Sequence, residues 1–175
     1  LALLRLKAEA LREVVLLKTY DGKSGQVAHQ DLPVHVVREQ ARALGLDIIL
    51  VPLFAGTQYL DRIEMGLQLL MRRRDVARMV FGDLHLRHVR AWREDQVGPR
   101  VSPRNIKLHF PLWDVPYEVL SSELFASDVD CHISAVTAPE CEGLIAVGDP
   151  YTPELISRLP TSVDPFGERG EFHTV

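Results

Sequence analysis

Along this chain, short continuous apolar runs alternate with segments whose apolar residues return every three or four positions. Residues 14–20, 47–53, 77–83 and 106–113 are such runs, rich in Val, Ile, Leu and Phe. Runs of that length, apolar at nearly every position, predict strands buried on both faces, as in parallel sheets. Residues 131–137 alternate instead, which predicts a half-buried strand. Helical spacing places Leu1, Leu4, Ala8 and Leu11 on one face of a helix over 1–13. A second helix opens at Leu32-Pro33 and runs through Val36, Val37, Gln40, Ala41 and Leu44, with Gly45 suited to the position just past its end. A long amphipathic helix covers 59–74, with Ile63, Leu67 and Leu70 inward and Arg72-Arg73-Arg74 at its negative end. A basic helix is expected at 84–94 and a short one at 117–125. Another follows Thr152-Pro153, a capping residue and a first-turn proline.

Strands alternating with helices predict an α/β fold, a mostly parallel sheet with helices on both faces. Ligands of such sheets sit beyond the carboxyl ends of the strands. That rule points to the loops after Tyr20, Leu53 and Trp113, and to Gly82-Asp83. The Gly/Pro/Ser-rich stretch 97–105 reads as a loop and marks a boundary between domains at 1–97 and 98–175. The closing residues 163–174 read as a loop too, because Pro165 and Gly167 interrupt regular structure.

The net charge of -4 removes the basic footprint that nucleic-acid binding needs, and no apolar run approaches the ~20 residues of a membrane span. The first residues lack the basic and apolar regions of a signal peptide, so a cytoplasmic protein is expected. With no initiating Met, the sequence is expected to begin inside a longer one. Cys131 and Cys141 belong to no Cys-x-x-Cys pattern and have no paired histidines, which argues against a zinc site.

Four groups of residues carry candidate chemistry. Gly82-Asp83 ends a strand: the glycine admits a close ligand, and the aspartate either holds a ribose hydroxyl or magnesium, or caps the next helix. Arg87, Arg90 and Glu94 share a helix face beside Arg93, which is either a cationic wall for phosphate or a solvated, salt-bridged face. His29 follows a glycine-rich turn and either meets a nucleotide or caps a helix. Glu168, Glu171 and His173 could serve acid–base work or brace a turn by accepting backbone hydrogens. Gly-x-Ser-x-Gly, His-Glu-x-x-His, Gly-x-Gly-x-x-Gly and the Gly-x-x-x-x-Gly-Lys-Ser/Thr loop are all absent.

In order, Val80-Phe-Gly-Asp83, Arg90-x-Trp-Arg-Glu94, Pro111-Leu-Trp113 and Asp164-Pro-x-Gly-Glu-x-Gly-Glu-Phe-His-Thr174 resemble segments of the diphthine–ammonia ligase family, as do Val27-Ala-His-Gln30 and Leu44-Gly-Leu46. The resemblance covers nearly the whole chain. It implies an adenine nucleotide alpha-hydrolase-like, Rossmann-like α/β domain followed by a small α+β C-terminal domain. The implied reaction uses ATP and Mg2+ to adenylate a carboxylate, diphthine on an elongation factor or another acid in bacteria, and ammonia then displaces AMP. Gly82, Asp83, Arg90, Glu94 and His29 are the implied nucleotide contacts, and Glu168, Glu171 and His173 the implied catalytic group. No protein-held metal site is implied; nucleic acid and membrane are excluded as partners, and a homodimer is compatible with it. The sequence departs from the family pattern in having Phe166 for Cys and Arg169 for Asn, and in stopping at Val175. It also has no Ser-Gly-Gly-Lys-Asp-Ser nucleotide loop and no strand ahead of it. That strand is central in this fold, so the runs at 14–20 and 78–83 are expected to lack a shared neighbour, and the chain is expected not to turn over ATP. The alternative is a non-catalytic remnant that binds a nucleotide or a partner.

Overall fold

The strongest apolar runs form the best strands. In the computed structural model, which describes residues 1–9, 13–27 and 32–175, β1 (Val15–Asp21) pairs in parallel with β4 (Asp47–Leu53) over seven residues, Val15 opposite Asp47 through Asp21 opposite Leu53. Between them lie β2 (Gln26–Val27) and β3 (Leu32–Pro33), a short antiparallel pair, and α2 (Val34–Ala43). Pro33 sits at the N-cap and not inside the helix. Gly45 takes the left-handed conformation, φ 67°, just past the end of α2, as its position in the pattern predicts.

The chain packs as two compact units. One contains residues 2–83 and 87–111, the other Leu1, residues 84–86 and residues 112–175. In the first unit α1 (Ala2–Ala8) precedes β1, and α3 (Tyr59–Met71) packs on β4. Gly66 lets α3 come close: a Cβ there would lie 2.6 Å from Cγ2 of Val51, which is 2% exposed. A second parallel pair joins β5 (Arg78–Val80) to β6 (Lys107–His109). Parallel pairing is therefore present, but in two separate pairs; among the described residues no ladder joins them into the single sheet expected. The basic helix begins later than its pattern suggested, as α4 (Arg87–Trp92), and continues into a π-helical turn at Arg93–Val97.

Residues 97–105 are a correction. They form α5 (Gly98–Val101) and a 3₁₀ turn at Ser102–Arg104, ended by Asn105 at φ 58°. Pro99 and Pro103 fall in the first turn of each, where the missing N–H costs nothing, so prolines that read as breakers are starters. Val97, Val101 and Ile106 join Leu67 in this unit's core.

The second unit holds α6 (Tyr117–Phe125), β7 (Ile133–Val136), α7 (Pro153–Ser157) and β8 (Phe172–Thr174). Thr152 caps α7, its side-chain oxygen accepting from the Leu155 N–H at 3.2 Å. β8 runs antiparallel to β7, so the end of the closing segment is a strand and not a loop. Phe172, Ile133, Leu155 and Cys141, each no more than 1% exposed, form the core with Tyr151 and Val163. No helix among the described residues is long and apolar enough to cross a membrane.

Candidate functional site

Two places gather the chemistry, one in each unit. In the first unit, the chain leaving β5 and β6 presents Phe81 and Phe110, stacked 5.7 Å apart at 23°. Two guanidiniums cover them, Arg93 lying 4.2 Å from the Phe81 ring centre and Arg90 4.8 Å from that of Phe110. Asp83 holds Arg93 by two hydrogen bonds of 2.5 and 3.0 Å, and Glu94 holds Arg90 at 2.8 Å. The sequence-derived Gly82, Asp83, Arg90 and Glu94 are thus brought together. Each arginine already carries a carboxylate, and Asp83 has both oxygens on Arg93. A magnesium ion would have to displace that guanidinium, so Asp83 as it stands does not fit a metal ligand. Among the described residues no three His, Cys, Asp or Glu side chains converge as a metal-binding group. His29 lies outside the described residues.

In the second unit the closing turn is built by two buried carboxylates. Asp164 Oδ1 accepts from the N–H of Phe166 at 2.8 Å and of Glu168 at 3.4 Å. Glu171, on the far side of the turn, accepts from the Asp164 N–H at 2.9 Å and the Arg169 N–H at 3.1 Å. Glu168 reaches the Leu84 N–H at 2.9 Å. Gly167, at φ 64°, sits where a Cβ would come 2.5 Å from the Phe172 carbonyl oxygen, so only glycine fits. The turn is therefore rigid, and Glu171 spends both oxygens bracing it. His173 stands opposite Ala135 in the β7–β8 ladder.

This turn forms one side of an open cleft of about 460 Å³, whose polar lining is His85, Asp114, Tyr117, Thr161, Asp164 and Arg169. At its floor, the Tyr117 hydroxyl lies 2.7 Å from Asp164 Oδ2 and 2.7 Å from His85 Nδ1. A carboxylate only accepts, so the phenol donates to Asp164 and its oxygen takes the His85 Nδ1–H. The Asp164 side chain is 4% exposed. Burial, and then the Asp164 carboxylate, push the Tyr117 phenol far above its ordinary value, so it stays protonated and keeps donating. His85 Nε2 stands 3.7 Å from Asp164 Oδ2, an ion pair once the imidazole is protonated. Phe166 packs against Tyr117 with ring centres 5.0 Å apart.

Sequence reasoning did not reach His85, Tyr117 or Asp114. A histidine between Leu84 and Leu86 was the available signal for the first. Asp114 carries a second, since a non-glycine residue at φ 54° is uncommon, but that shows only in the structure. No family model matches this chain, and no curated protein matches it.

Proposed function

We propose that the chain belongs to an ATP-dependent amide ligase resembling diphthine–ammonia ligase. The observation that carries the reading is the ordered run of four family-like segments, from Val80-Phe-Gly-Asp83 to the closing stretch ending at Thr174. Two physical features support it. The stacked Phe81 and Phe110, covered by the ion-paired Arg90 and Arg93, form an aromatic edge at the carboxyl ends of two parallel strands, where α/β proteins bind ligands. The closing stretch is a braced turn beside an open cleft, as an acceptor site requires. The two unjoined parallel pairs accord with an adenine nucleotide alpha-hydrolase-like sheet that takes a further strand between β1 and β5.

In the proposed reaction an acceptor carboxylate oxygen attacks the α-phosphorus of ATP and pyrophosphate leaves. Ammonia then attacks the acyl carbon, AMP departs with the bonding electrons, and the nitrogen sheds a proton. Adenylation is needed because a carboxylate is a poor electrophile. Magnesium would arrive with ATP and neutralise phosphate charge. Gly82, Asp83, Arg90, Glu94 and His29 are assigned to the nucleotide side, and Glu168, Glu171 and His173 to the acceptor side, Glu171 as the brace of the turn. The reading implies a cytoplasmic enzyme acting on a carboxylate and ammonia, with no nucleic acid or membrane partner.

A specific observation favours a second reading, a non-catalytic nucleotide- or partner-binding domain: these 175 residues contain no phosphate-gripping loop, and Asp83, Arg90 and Arg93 are already paired among themselves and with Glu94. One experiment separates the two. ATP, ammonia and a panel of carboxylic acids are supplied to the 175-residue chain and to a fusion in which a strand ending in Ser-Gly-Gly-Lys-Asp-Ser precedes Leu1. AMP and amide from the fusion alone are expected. A fusion that binds ATP in calorimetry but releases no AMP would sink the ligase reading in favour of the binding domain.

A further inference from the structure

The cleft of the second unit holds two opposite charges that have no ion-pair partner among the described residues. Arg169 is exposed at the rim, and its side chain makes no ion pair or hydrogen bond among the described residues. Asp114, also exposed, likewise has no side-chain partner there. Arg38, Arg72, Arg73, Arg87 and Arg158 also make no ion pair among the described residues, but of these arginines Arg169 is the one that lines a cleft together with an unpaired carboxylate. Neither charge hangs on a loose backbone. Arg169 stands between Gly167 and Gly170, both left-handed, with its N–H on Glu171. Asp114 is held at φ 54° with its N–H on the Leu84 carbonyl at 2.9 Å. A cation and an anion line one cleft on rigid supports, yet do not pair with each other.

We propose that this cleft binds a small zwitterion of the free amino-acid class, its carboxylate on Arg169 and its ammonium on Asp114. The guanidinium fork matches a carboxylate in two parallel hydrogen bonds. The aspartate accepts from a primary ammonium. A volume of about 460 Å³ is room enough for a single small molecule. The charge pattern argues against simpler ligands. A dicarboxylate would set its second anion against Asp114 and Asp164, and a diamine would meet Arg169. Tyr117, with Val115, Pro116, Val163 and Pro165, gives the cleft apolar surface for a side chain. In the proposed ligase this ligand would be the acceptor acid, and to that extent the inference rests on that reading, but binding itself needs no nucleotide.

The test is titration of the 175-residue chain, without ATP, with three matched probes: L-norvaline, pentanoate and pentylamine. Affinity is read from calorimetry and from shifts of the His85 and Tyr117 ring signals. Norvaline is expected to bind at least about tenfold more tightly than either singly charged probe, as two charged contacts exceed one. Arg169→Ala should weaken norvaline and pentanoate and leave pentylamine unchanged. Asp114→Asn, which keeps a residue tolerant of the left-handed backbone, should weaken norvaline and pentylamine and spare pentanoate. Both side chains are exposed, and unchanged near-ultraviolet dichroism will show that the variants fold. Equal affinity for the three probes, or no norvaline binding, overturns the proposal. Norvaline binding by a chain whose fusion makes no AMP removes the ligase and keeps the site; amide formation by the fusion without norvaline binding does the reverse.

Discussion

Glu171→Gln distinguishes a brace from a reacting group. The wild-type carboxylate accepts from two N–H groups, that of Asp164 at 2.9 Å and that of Arg169 at 3.1 Å, in a residue only 9% exposed. A glutamine amide has one oxygen. It can serve one N–H, and its own NH₂ then faces the other. The loss is one charge-assisted hydrogen bond, about 1.5–3 kcal/mol, and a donor left without a partner, about 1–3 kcal/mol more where it is buried. The Asp164 N–H is buried and the Arg169 N–H is only partly so, which makes Arg169 the donor that lets go. The expected destabilisation is therefore about 2–4 kcal/mol. With a urea slope of about 2 kcal/mol/M, the unfolding midpoint should fall by about 1–2 M at unchanged slope. Equilibrium urea unfolding followed by tyrosine and tryptophan fluorescence reads this directly. Glu142→Gln, on an exposed side chain, is the control and should stay within about 0.5 kcal/mol of wild type. A midpoint shift for Glu171→Gln no larger than that control would refute the bracing argument and return Glu171 to the acid–base role its sequence suggested.

The chain has four tyrosines, and the phenols of Tyr117 and Tyr151 are both held up, by burial first and then by the nearby Asp164 and Cys131 charges respectively. Alkaline titration at 295 nm should show Tyr117 and Tyr151 still protonated well above the ordinary phenol value while the fold survives. Because the folded values are raised, the stability these two phenols contribute is fully present below about pH 10, the ordinary phenol value, and is lost as the pH rises above it. Ionisation of Tyr117 and Tyr151 near pH 10 in a folded protein would contradict this. Gly66→Ala gains up to ~1 kcal/mol of helix propensity but drives a methyl to 2.6 Å from a Val51 that cannot swing away, so a net loss of about 1–2 kcal/mol is expected by thermal unfolding. A stabilised variant would mean that α3 and β4 can separate at little cost.

How much of this was legible beforehand depended on whether the signal was local. The strand at Asp47–Leu53 and the helix at Tyr117–Phe125 have the ends their patterns predict, because apolar runs and periodicity lie within each element. Thr152 and Gly45 were readable for the same reason: caps act on their own helix. β8 was not, since three residues carry no period and their strand character comes from β7, some forty positions earlier. Pro99 and Pro103 misled because a proline reads as a stop until the start of a helix is known. The closing motif pointed to Glu168, Glu171 and His173, yet the cleft beside it is floored by Asp164 with His85 and Tyr117, partners joined only by folding. The bland alternative for those glutamates, carboxylates accepting backbone hydrogens, describes Glu171 and the Glu168 bond to Leu84.

The three-residue excursion at 84–86 has a consequence for biosynthesis. Leu84 waits for Glu168, 84 positions later, and His85 for Tyr117, 32 positions later. At translation rates of about 5–20 residues per second, the Leu84 N–H stays without that acceptor for on the order of ten seconds after it emerges. The surrounding first unit has all its own residues by position 111 and can collapse in that interval, far faster than synthesis proceeds. The nascent chain thus carries one short segment, Leu-His-Leu, whose partners do not exist until Tyr117 and then Glu168 have been made and have left the ribosome.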